Sequence, residues 1–175
     1  MIGRRPVKMA DLRGIFESMD FSGVTTILAS GNVVFGSDRS SVAALSQSIE
    51  RKLELELGYP VRIIVRTLDE LEAIAATNPF RGIPSSPRTK LLVTLLSESP
   101  PVAFRAPYTS PEKDFKVLRI EDGAVFSVVT LGEGQRSSGV LSFLERQFGT
   151  KQTTRSWNTI VKVLEARKED SWTRT

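Results

Sequence analysis

The chain contains no cysteine and no histidine. Without cysteine there is no disulfide, no thiolate nucleophile and no thiolate metal site, so nothing in the sequence calls for an oxidising compartment. Without histidine the commonest general base near neutral pH and the commonest metal ligand are missing, and so is every Ser-His-Asp or Cys-His arrangement. Any catalysis falls to carboxylates, lysine, tyrosine or backbone donors. Long apolar runs are lacking too. None approaches the roughly 20 residues that a membrane helix needs, and the basic N-terminus is not followed by an apolar signal-peptide core. The expectation is a cytoplasmic protein with no membrane partner, no metal and no cofactor. What is present is a chain of 175 residues, 40% apolar and 25% charged, enough for one sizeable core and too few for two large ones.

The net charge is +4, and residues 77–119 hold seven Lys/Arg against three acids; the segment after Gly149 is also basic. A cationic surface of this size serves solubility as readily as it serves phosphate or nucleic acid, so charge alone decides nothing.

Met9, Leu12, Phe16 and Met19 recur at helical spacing and predict an amphipathic helix over residues 8–19. Two β-rich runs follow, 24–29 and 32–35, joined by Ser30-Gly31 as a tight hairpin. Val42, Leu45, Ile49, Leu53 and Leu57 predict a second helix that ends at Gly58, with Pro60 just beyond. Residues 61–66 alternate as a strand, and Thr67 with Glu70 opens a short helix that Asn78-Pro79 closes. Residues 90–96 read as a central strand, and 97–113, with four prolines, as a surface loop. Runs 115–120 and 124–131 form a hairpin about Asp122-Gly123. Two helices finish the chain, one carrying Leu141, Leu144 and Phe148, the other Trp157, Ile160, Val161 and Leu164.

The expected fold class is α+β: a ferredoxin-like (αβ-plait) unit lacking its first strand, followed by a second related α/β unit. Residues 1–167 are expected as a single compact domain, with halves at 1–78 and 79–167 and a polar tail over 168–175. In a ferredoxin-like sheet the first strand is interior, so its absence leaves backbone groups unpaired. The expectation is that the true start lies upstream, or that another segment or a second chain fills the gap.

Three segments carry a family resemblance: Val7-Lys8-Met9-Ala10-Asp11-Leu12-Arg13, Ala29-Ser30-Gly31-Asn32-Val33-Val34-Phe35 and Thr153-Thr154-Arg155-Ser156-Trp157-Asn158-Thr159. Together, in this order and spacing, they resemble the DUF1697 family of bacterial proteins over nearly the whole chain. The resemblance implies paired ferredoxin-like units and no particular reaction. The sequence departs from the family's pattern in lacking the opening strand, in Ser138 where a lysine commonly follows the Arg-Ser pair, and in Ser156 where asparagine commonly precedes the tryptophan.

Two segments are candidate ligand sites. Ser30, Gly31 and Asn32 offer backbone donors, a hydroxyl and an amide at a hairpin end, or simply the residues that tight turns need. Thr154, Arg155, Trp157 and Asn158 lie at a predicted helix start, where free N–H groups and the dipole favour an anion. There, Thr153 or Thr154 is equally a helix cap and Trp157 a core residue. Residues 132–139 resemble a phosphate loop in spacing, but Val140 and Leu141 stand where Lys and Ser/Thr belong. Arg62 and Arg66 share a strand face without the aromatics that RNA-binding plaits use for stacking.

The leading functional expectation is a small-anion-binding or regulatory module. One alternative is an enzyme polarising a phosphorylated or carboxylated substrate through Arg155, Asn158 and Asn32; another, less favoured, is a nucleic-acid-binding module.

Overall fold

The computed structural model describes residues 7–28, 31–38, 41–84, 86–98, 104–133 and 139–169. They form a mixed α+β fold with antiparallel sheets, divided into unit 1 (Met1–Leu68 and Val161–Thr175) and unit 2 (Asp69–Ile160).

Unit 1 begins with α1 (Met9–Glu17), which buries Leu12 and Phe16 as the helical spacing requires. Strands β1 (Ser22–Ile27) and β2 (Asn32–Gly36) pair antiparallel, with Ile27 opposite Asn32. The connection is therefore longer than the expected two-residue turn. Leu28 (φ 58°) and Gly31 (φ 72°) both take the left-handed region, which glycine adopts without steric cost. Helix α2 (Val42–Leu57) buries Leu45, Ile49 and Leu53. Its first turn is capped by Ser41 Oγ, which accepts from the Ala44 N–H at 3.3 Å, and Gly58 closes it in the left-handed region. Phe16, Phe21 and Phe35 form an aromatic cluster, Phe21 and Phe35 stacked at 4.4 Å.

Residues 61–67 correct one expectation: they form no strand with any described residue. Their alternation is used, since Val61 is buried and Ile63 and Val65 pack against the unit 1 core. Alternation reports one-sided burial and not a pairing partner. The Ile63 N–H instead donates to the Glu50 carboxylate at 3.0 Å, and that carboxylate also meets Arg62 at 3.2 Å.

Unit 2 is built on a five-stranded antiparallel sheet ordered β4-β5-β6-β3-β7. Its elements are α3 (Leu68–Ala76, from the last residue of unit 1), β3 (Thr89–Leu96), β4 (Tyr108–Thr109), β5 (Phe115–Glu121), β6 (Ala124–Thr130), α4 (Val140–Phe148) and β7 (Gln152–Ser156). The β5–β6 turn has Asp122 at φ 50° and Gly123 at φ 69°, the backbone that a two-residue hairpin needs. Directly opposed residues of an antiparallel pair share a face. One face therefore carries Lys90, Leu92, Thr94 and Leu96 of β3 with Val129, Ser127 and Val125 of β6 and Ser156, Thr154 and Gln152 of β7. Helix α4 covers this face through Val140, Phe143 and Leu144. The other face carries Val93, Phe126 and Arg155; Phe80 meets Phe126 there at 6.0 Å and the ring of Trp157 at 5.4 Å.

The strand β7 corrects a second expectation. Residues 152–156 are not a helix start; α5 (Trp157–Glu169) begins after them and passes into unit 1 at Val161. The first turn is capped by neither Thr153 nor Thr154. Ser156 does it, its Oγ accepting from the Thr159 N–H at 3.2 Å and meeting the Thr159 hydroxyl at 2.9 Å. Thr159 is accordingly buried. Of the expected polar tail, residues 170–175 lie outside the described residues. Among the described residues no helix is long and apolar enough to cross a membrane.

Candidate functional site

Between α4 and the β3–β7 half of the sheet lies an open groove of about 540 Å³, all of it within unit 2. Its floor is apolar, from Leu92, Val129, Leu131 and Val140, and Leu141 stands at its margin, 56% exposed. The β7 wall is polar: Thr150, Gln152, Thr154 and Ser156. An apolar floor beside a polar wall can hold one side of a small molecule while the other side stays open to solvent.

Lys90 brings the cation. It sits one strand period before Leu92 on the same face, opposite Val129, and is exposed. Neither Lys90 nor Glu145, the acidic residue that α4 contributes, forms an ion pair with a described residue. Gln152 is half-buried, and its Oε1 is buried without a hydrogen bond from any described residue. Thr94 and Thr154 hydroxyls meet at 2.8 Å beneath the wall and tie β7 to β3. Among the described residues no cluster of three or more acidic side chains is placed to hold a metal ion.

Register separates the four residues that the sequence groups after Thr153. Thr154 is on the groove face. Arg155 pairs with Val93 on the opposite face, although it also borders the groove. Its guanidinium donates to Thr153 Oγ1 at 2.6 Å and to the Thr154 carbonyl at 3.0 Å. Burial pushes its pKa below the ordinary arginine value, yet a guanidinium remains charged near neutrality. The Ser97 N–H donates to the Lys151 carbonyl at 3.1 Å, and this fixes the ladder's phase. By alternation, Gln152, Thr154 and Ser156 turn their backbone groups to the edge of β7 that no described strand pairs with. Arg155 thus covers one edge carbonyl, a device that blunts strand-to-strand association. Trp157 is half-buried against Phe80, and Asn158 is exposed on the first turn of α5.

The hairpin candidate belongs to unit 1, apart in the chain from the groove residues. Gly31 holds the turn, and the Asn32 side-chain amide donates across it to the Ile27 carbonyl at 3.2 Å. Ser30 lies outside the described residues, as do residues 134–138 of the loop that resembles a phosphate loop. Arg62 and Arg66 stand on the segment that forms no strand, and Arg62 is paired with Glu50.

Lys90, Glu145 and Gln152 were not singled out by sequence. A lysine before an apolar run reads as a strand boundary, a glutamate on a helix as surface charge, and Gln152 lay in an unassigned segment. The available signal was that Lys90 keeps the alternation of Leu92 and Thr94, on a face that a following helix must cross.

No curated protein and no solved structure matches the chain significantly. A family model does, described as a protein of unknown function (DUF1697), over residues 1–126. The match takes in α1 to α3 and β1 to β5 and ends within β6, while α4, β7, α5 and most of the groove lie beyond it. On the 126 matched residues, the chain belongs to the DUF1697 family.

Proposed function

We propose that the protein is a cytoplasmic binding module whose unit 2 groove takes a small anionic ligand. The observation that carries this reading is Lys90: an exposed ammonium group, without an ion pair to a described residue, beside an apolar floor and a wall of hydroxyls. Lys90 meets the anion, Thr154 and Ser156 donate or accept around it, and Arg155 adds positive charge at the rim. The site expected at Thr154 and Arg155 is thereby kept, with Lys90 as its principal cation.

The strand order of unit 2 supports a finer reading of the fold. The order β5-β6-β3-β7, antiparallel throughout, supports a ferredoxin-like plait. Unit 1 supplies the helix, hairpin and helix of such a plait.

The test is a thermal-shift screen of the full chain against inorganic phosphate, sugar phosphates and short carboxylates, repeated with Lys90→Gln. A ligand at 100 times its Kd stabilises by about 2.7 kcal/mol. We expect a stabilising anion whose effect shrinks in Lys90→Gln. Stabilisation that is unchanged in that variant would move the site elsewhere.

A further inference from the structure

The groove is charged with opposite signs along its length. β6 ends at Thr130 beside Thr89, and Val140 opens α4 at this same end, near Lys90 and Val129. β7 begins at Gln152 beside Leu96, so α4 runs along the groove from the Lys90 end toward the Gln152 end. Glu145 lies about 7.5 Å along the helix from Val140, and Leu96 about 20 Å along β3 from Lys90. Lys90 is therefore at one end, Glu145 partway along, and Gln152 Oε1, buried without a hydrogen bond from a described residue, at the other end.

We infer that the ligand is a short zwitterionic peptide, its carboxylate at Lys90 and its ammonium group toward Glu145 and Gln152; this rests on the reading of the groove as an anion site. Both charged side chains lack an ion pair with a described residue, so the groove offers a cation at one end and a carboxylate partway along it. A ligand with a second negative group would meet Glu145 at like charge and leave Gln152 Oε1 unsatisfied. An ammonium group has three donors and serves both. Leu131 and Val140 present apolar surface at the Lys90 end, and Leu92 follows one strand period along, with Leu141 exposed at the margin. An extended chain spans at most about 3.3–3.6 Å per residue, so about two to three residues reach from Lys90 to Glu145.

The experiment is calorimetric titration of the full chain, and of its Lys90→Gln and Glu145→Gln variants, with alanyl-leucyl-alanine, its N-acetyl derivative and its C-terminal amide. Both exchanged residues are exposed, so the fold survives the exchange. The free tripeptide binds tightest to the wild type, and blocking either terminus weakens it about fivefold, the scale of one exposed ion pair. Glu145→Gln removes the penalty of acetylation and keeps that of amidation; Lys90→Gln does the reverse. Equal affinity for the free and acetylated peptides in the wild type overturns the inference. Lys90-dependent binding of butyrate or phosphate with no heat from any peptide overturns it too, and leaves the anion reading standing. Heat from none of these ligands overturns both.

Discussion

Unit 1 combines α1, α2 and the later turns of α5 with a sheet of two described strands, whereas unit 2 surrounds five strands with α4 on one face and the Phe80, Phe126 and Trp157 rings on the other. A lone hairpin is marginal in water. Unit 1 therefore draws its core from helix faces and the Phe16, Phe21 and Phe35 cluster, and unit 2 from strand residues such as Val93, Val117, Val125 and Phe126, all 1% exposed or less. The difference teaches where a site can be held firmly. A groove floored by a fully paired central strand keeps its geometry, while a hairpin tip fixed by Asn32 and a left-handed Gly31 is a turn before it is a pocket.

The largest expected effect comes from emptying the sheet core. Phe126→Ala should cost about 3–5 kcal/mol in urea unfolding. Ile49→Ala, in the fully buried face of α2, should cost about 2–4 kcal/mol. A loss from Ile49→Ala below about 1 kcal/mol would break the comparison, because it would mean that the helices do not carry unit 1.

Asp114 sharpens the account of unit 2. Its carboxylate accepts from Ser110 Oγ at 2.7 Å and from the Gly139 N–H, at the start of α4, at 3.3 Å. The Ser110 hydrogen bond, aided by backbone donors and opposed by burial, holds its pKa below the ordinary 3.8. A depressed folded pKa means that the stabilisation is fully present above the ordinary value and is lost as pH falls through the folded one. Urea midpoints measured from about pH 6 to about pH 2 should therefore fall more in the wild type than in Asp114→Asn, with the difference opening below about pH 4. Parallel decline of the two proteins would remove Asp114 from the account.

Smaller still is the cap. Ser156→Ala should cost about 1 kcal/mol, as loss of a helix N-cap does, and Ser156→Asn should restore most of it. Were 156 an ordinary surface position, the alanine variant would melt with the wild type.

The helices and the second hairpin were legible in sequence because their signals are local. Leu45, Ile49 and Leu53 with Ser41 and Gly58 define α2 almost alone, and Asp122-Gly123 defines a turn. The strand β7 was illegible because Gln-Thr-Thr-Arg-Ser holds no apolar residue; an edge strand needs little burial, and its pairing with β3 is a long-range event. Two adjacent threonines were the only β-forming signal. Residues 61–67 fail in the opposite sense, with a strand pattern and no partner among the described strands. The groove is harder again, since Lys90, Glu145 and Gln152 converge only when α4 crosses back over β3.

The central claim is that the groove, and not the hairpin, binds the ligand. Its most direct test is an amide chemical-shift titration of the isotopically labelled full chain with butyrate. The account predicts saturable shifts concentrated at Lys90, Leu92, Gln152, Thr154 and Ser156. Shifts centred instead on Gly31 and Asn32, or none at saturating ligand, would contradict it.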